Sequence, residues 1–157
     1  MLKIDQLDLD EIAFALSDQN PYGEHLYLVS PETGEIMFWT PEGGIDGETP
    51  VDLDDLDLVA IDPLPSYVWY EDMADFTELV SDEHAARRLA RAINGRGAFR
   101  RFKDELHEEY PELLPAWHAF RETRAARRAV DWLLDASLIS HDEAARFRAE
   151  HPDPPVP

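Results

Sequence analysis

The sequence predicts an α+β fold. A small antiparallel sheet, a β-hairpin plus a third strand, follows an N-terminal helix and precedes a C-terminal array of four to five helices. Three observations lead there. Apolar residues recur at helical spacing over residues 9–16, and dense apolar runs then flank a Pro-x-x-Gly turn at residues 31–34. Helical spacing returns from residue 66 onward. With 157 residues, 44% of them hydrophobic and including four Trp, seven Phe and five Tyr, the chain has material for one packed core. The expected domain is 1–150, followed by a disordered Pro-rich tail at 151–157.

The first helix is signalled by Asp8 as N-cap, by Glu11 three positions on, and by Leu7 placed to staple against Ile12. Leu9, Ile12, Ala13 and Leu16 form its core face, and turn formers at residues 17–21 stop it. The hairpin comprises residues 25–30 and 35–40. Pro31 presets the first turn dihedral and Gly34 supplies the left-handed position. Both strands are nearly continuous in apolar residues, which predicts cover on both faces. An acidic, Gly- and Pro-rich connection leads to a third strand over 56–61.

Ser66 opens a helix whose Trp69, Met73, Phe76 and Val80 fall on one stripe, with Tyr67 and Tyr70 flanking it. Ser81 caps the next helix, whose inner face is Ala85, Ala86, Leu89, Ala92 and Ile93. Gly95 ends that helix. Gly97 starts another, with Phe99, Phe102 and Leu106 inward. A long helix begins at Pro115 and runs to about Ala136; Ser140 and Glu143 then form the capping box of a short one.

Composition narrows the chemistry. The absence of Cys removes thiolate catalysis, disulfides and cysteine zinc sites. No apolar run approaches membrane-spanning length, so the expectation is a cytoplasmic protein with no membrane association. Charge is uneven: residues 1–86 hold 22 acids and one cation, Lys3, a balance of −21, while residues 87–157 hold 13 cations and 12 acids, a balance of +1. The bland reading is that the two halves face each other or are simply solvated. The functional reading is an acidic face used on a basic protein partner. The net charge of −20 argues against direct nucleic-acid binding.

One stretch breaks local rules. Residues 95–103 hold two glycines, two phenylalanines and four cations at a helix start, where the unpaired amides already make the backbone positive. Converging guanidinium groups there suit a phosphate or carboxylate. On a helical wheel Lys103 and Arg100 lie about 40° and about 100° from Phe99, and Arg101 about 200° away. The candidate anion site is therefore Arg96, Arg100 and Lys103, joined by Arg127, a cation set in the apolar stripe Phe120, Thr123, Val130 and Leu134. The structural reading competes, and comes first: Arg100 with Asp104 and Arg101 with Glu105 at i,i+4, and a buried ion pair for Arg127. Tyr67, Tyr70 and Trp117 are the flanking aromatics. Trp117, Arg121, Arg124 and Arg128 form a basic row on the adjacent face.

Other motifs fail on spacing. The run Asp52 to Asp57 lacks the glycine and terminal Glu of a calcium loop, and His107-Glu108 has Pro111 where a second zinc ligand belongs. The two glycines of 95–97 lack the third of a dinucleotide fingerprint and follow a helix. No catalytic residue, metal or cofactor is expected. The reading is a non-enzymatic binding module, with a small-ligand anion site as the alternative.

The block Gly-Arg-Gly-Ala-Phe-Arg-Arg-Phe-Lys-Asp at residues 95–104, the block at 111–117 and the later Asp131-Trp132-Leu133 together resemble an uncharacterised bacterial protein family. The resemblance spans residues 25–134. It implies a shared fold unit, and it carries no assigned activity and no catalytic residue.

Overall fold

A computed structural model describes residues 1–18 and 24–157. Its elements are α1 (Leu9–Ser17), β1 (Leu26–Val29), β2 (Ile36–Trp39), β3 (Val59–Ile61), α2 (Ser66–Leu79), α3 (Glu83–Ala92), α4 (Ala98–Glu108), α5 (Leu114–Asp135) and α6 (His141–Glu150). The class is α+β, with five helices after the sheet. The described residues gather into two compact units, Met1–Pro65 with Ala125–His151, and Ser66–Arg124 with Pro152–Pro157. The expected turn at 19–21 lies outside the described residues.

In the first unit the Asp8 carboxylate accepts the Glu11 amide at 3.1 Å, capping α1 as its sequence predicts. Ile12, Ala13, Ala15 and Leu16 are buried, whereas Phe14 between them is 58% exposed. The sheet order is β2-β1-β3, antiparallel throughout, with Val29 opposite both Ile36 and Val59. Gly34 sits at φ 80°, and its amide donates to the Ser30 carbonyl at 2.9 Å. A Cβ there would come within 2.9 Å of Leu7 Cδ2, so glycine is required for space as well as for conformation.

Cover on both faces does not extend to β2. Leu28 and Val29 on the central strand are buried, but Phe38 on the edge strand is 48% exposed, its ring 5.3 Å from that of Tyr27. The third strand is shorter than expected: pairing begins only at Val59, which lies opposite Val29, the last residue of β1. In the connection, Asp46 accepts the amides of Thr49 and Glu48, each at 2.8 Å, which holds its carboxyl below the usual carboxylate range. Later, Ser140 Oγ accepts the Glu143 amide at 3.1 Å and caps α6. Ala129, Val130, Leu133, Leu138, Ile139 and Ala144 are buried along this part of the chain.

The second unit is helical and centres on Phe76. Its ring meets those of Phe102, Trp117 and Phe120 edge-on at 6.3, 5.3 and 5.6 Å, and Leu89, Ile93 and Leu106 complete the core. The cap of α3 is Asp82, not Ser81: its carboxylate accepts the Ala85 amide at 3.0 Å. The Ser81 amide instead donates to the Pro157 carbonyl at 3.1 Å. Val156 packs against the same core, so residues 152–157 belong to this unit. Among the described residues no helix is long and apolar enough to cross a membrane.

Candidate functional site

The basic stretch folds as a two-glycine corner between α3 and α4. Gly95 and Gly97 both take left-handed φ, 87° and 76°, and Gly97 is the N-cap of α4. Three carbonyls around the end of α3 then converge on one side chain, Arg101. Its Nε donates to the Ala92 carbonyl at 2.9 Å, one Nη to Asn94 at 2.6 Å and the other to Arg96. The Tyr70 hydroxyl donates to the Ile93 carbonyl at 2.8 Å. The corner is thus fastened by Arg101, the cation set apart on the wheel.

The other cations of the stretch are left for solvent. Arg96, Arg100 and Lys103 are exposed and, among the described residues, make no ion pair; the i,i+4 partners Asp104 and Glu105 are not used by Arg100 and Arg101. Glu105 belongs to Arg88, at 2.9 Å, and that hydrogen bond raises the Arg88 pKa above its ordinary value. Arg127 lies in the first unit, not with the other three, and donates to the His151 carbonyl at 3.5 Å.

A cleft of about 230 Å³ opens on the second unit. From α2 it takes Trp69, Asp72 and Met73; from α4, Phe99, Phe102, Lys103, Leu106 and His107; from α5, Leu114, Trp117, His118 and Arg121. Of the expected site residues it gathers Lys103 and Trp117. Tyr70 is spent on the corner, Tyr67 is 65% exposed on the first turn of α2, and Arg96 and Arg100 lie outside the lining. Phe99 was expected in the core. It sits instead at the cleft mouth, 47% exposed, while Phe102 and Leu106 are buried as predicted.

Asp72 was not anticipated. It is 1% exposed, with Arg124 Nη1 3.7 Å away. That guanidinium also bonds Asp75 at 2.7 Å and both oxygens of Asp153 at 3.0 Å, and it lies 4.6 Å over the Phe120 ring. Burial pulls the Arg124 pKa down, but the hydrogen bonds to Asp153 and Asp75 outweigh it and raise the value above its ordinary level. Arg124 is the cation of the long helix with three carboxylates about it, its side chain 19% exposed. Lys103 with His107 and His118 with Arg121 are each one helical turn apart, a spacing readable in the sequence; that the two pairs share a cleft is not.

The first unit carries most of the acid. All of the Asp and Glu side chains in 1–65 except Asp18 are exposed, and Asp18 bonds His25 Nε2 at 2.5 Å. Glu42, Asp46, Glu48, Asp52, Asp54, Asp55 and Asp57 make no ion pair among the described residues. Nor does any group of three or more His, Asp or Glu among those residues have the geometry to hold a metal ion.

Comparison with known proteins places residues 7–146 on the family model described as "Uncharacterised protein family (UPF0158)". The matched stretch exceeds the 25–134 of the resemblance and takes in α1 and the first half of α6. The chain is 36% identical over 132 residues to a UPF0158 protein of Pseudomonas aeruginosa (strain PAO1), an alignment covering 84% of each chain. No solved structure matches it.

Proposed function

Since the chain belongs to the uncharacterised protein family UPF0158, which brings no activity with it, we propose that it is a non-enzymatic, acidic binding module of the bacterial cytoplasm. In this reading residues 1–150 act as one domain that takes a basic protein partner. The observation that carries it is the acid of residues 1–65, exposed but for Asp18 and, through residues 42–57, without ion pairs among the described residues. Carboxylates already tied to internal cations contribute little field, whereas solvated ones of a single sign steer an opposite charge and speed association. The same field repels nucleic acid.

The test takes proteins captured at low ionic strength, purifies each, and titrates it against the unaltered chain and against a variant with Asp52, Asp54, Asp55 and Asp57 all replaced by Asn. Affinity should fall as salt rises, and by about tenfold or more in the variant, four exposed charges at a few tenths of a kcal/mol or more each. A partner whose affinity ignores both changes would sink the acidic-face reading.

A second reading, a phosphate or carboxylate ligand held through the cation cluster of residues 96–103, is favoured by the cleft on the second unit, which has Lys103 of that cluster and Arg121 at its edge.

A further inference from the structure

We propose that the cleft on the second unit binds a small aromatic anion, one ring bearing a single carboxylate or phosphate. This rests on the second reading above and gives it a place and a ligand class. The floor is apolar, built from Met73, Phe102, Leu106 and Trp117. At its mouth Phe99 leaves half its ring in solvent although α4 had the inward stripe to bury it, and a flat apolar body in the cleft covers that surface.

The rim is basic. Lys103 and His107 face in from α4, and His118 and Arg121 from α5. In a chain with 34 acids against 14 Lys and Arg, Lys103 and Arg121 still make no ion pair among the described residues. Arg88 and Arg124, by contrast, are taken up by carboxylates. The one acid in the lining, Asp72, is buried with Arg124 beside it, so its charge is compensated at the floor. Orientation follows: ring down on the aromatic floor, anionic group up among the rim cations.

Size narrows the class. A volume of about 230 Å³ falls short of the roughly 300–1,000 Å³ that drug-sized ligands occupy, which admits a single-ring acid and excludes a dinucleotide.

Tryptophan fluorescence reads occupancy directly, because Trp69 and Trp117 line the cleft. Phenylacetate and phenyl phosphate are titrated against the full chain, with benzyl alcohol and inorganic phosphate in parallel. At least one aryl anion should saturate, with benzyl alcohol and inorganic phosphate each at least tenfold weaker. The tighter of the two aryl anions identifies the acidic group. Lys103→Met and Arg121→Met should each weaken binding about tenfold, Lys103→Arg should restore it, and Arg96→Met, outside the cleft, should change nothing. Benzyl alcohol binding as well as the aryl anions overturns the proposal. Loss of binding in Arg96→Met with retention in both rim variants overturns the cleft and leaves the second reading standing. Saturation by none of the anions removes both.

Discussion

Arg101 shows how much one side chain does at the corner. The last carbonyls of a helix have no amide partner within it, and an ordinary C-cap supplies only one or two. The planar guanidinium instead offers donors in a fixed fork, and three of them reach the carbonyls of Ala92, Asn94 and Arg96. A lysine has no such fork. Arg101→Ala should lower unfolding stability by about 1–3 kcal/mol, and Arg101→Lys should recover only part of it. Arg100→Ala, next to it but exposed, should stay within about 0.5 kcal/mol. Urea unfolding of the three variants checks this, and an Arg100→Ala loss as large as that of Arg101→Ala would overturn the assignment. The wheel placed Arg101 correctly as pointing away from the Phe99 stripe. It reports direction only, and nothing in a wheel says that a long side chain reaches back across two glycines to the preceding helix.

At the scale of elements, the same corner depends on backbone conformation. Gly97 has φ 76°, and a Cβ on it would lie 3.2 Å from an Nη of Arg101, whereas a Cβ on Gly95, φ 87°, meets nothing within 4 Å. Both substitutions to Ala incur the left-handed cost of about 1–2 kcal/mol. Gly97→Ala should cost more, because it also displaces the Arg101 clamp, and in an Arg101→Ala background the two substitutions should become nearly equal. A double-mutant cycle measures that coupling; additivity would deny that helix start and clamp act as a unit. Signals local to one element were legible. Asp8 and Ser140 cap the helices their spacing promised, and Gly34 makes the hairpin turn. Signals that depend on a neighbour were not. The Ser81 and Asp82 positions offer two adjacent caps, and only the packing of the Pro157 carbonyl shows which is used otherwise. Within α5, Leu113 just before it, Trp117 and Phe120 are buried early and Ala129, Val130 and Leu133 late, so no single apolar stripe runs its length. Reading one stripe through it singled out Arg127 and left Arg124 in the basic row of the adjacent face, with nothing to show the three carboxylates that meet it.

For the whole molecule, the distribution of cations decides what the acid is free to do. Arg87, Arg88, Arg124, Arg146 and Arg148 each serve carboxylates of their own unit, while the acids of residues 42–57 are served by none among the described residues. The charge asymmetry was legible in the sequence; which cations are spent was not, because ion pairs such as that of Arg124 with Asp75 join positions 49 residues apart. Arg124 is the most heavily used. Its side chain is 19% exposed, against 2% for Asp72, 45% for Asp75 and 35% for Asp153, so its contacts run from the core of the second unit to its surface. The buried end should dominate the energetics. Removing the cation takes a compensating charge from Asp72, which cannot be solvated where it lies, whereas Asp153 can turn to water. Arg124→Met should therefore lower stability by about 2–4 kcal/mol, toward the lower end of the cost of breaking a buried pair because two partners are partly exposed. Asp153→Asn should cost no more than about 1 kcal/mol, even though it removes the bidentate bond. In the asparagine variant the Ser81 amide, held by the Pro157 carbonyl, should exchange faster with solvent while amides in the interior of α2 keep their protection. Urea midpoints and hydrogen exchange report the two effects separately. Equal losses in the two variants would mean that the guanidinium serves the 152–157 segment and not Asp72, and the account of a charge held for the core would be wrong.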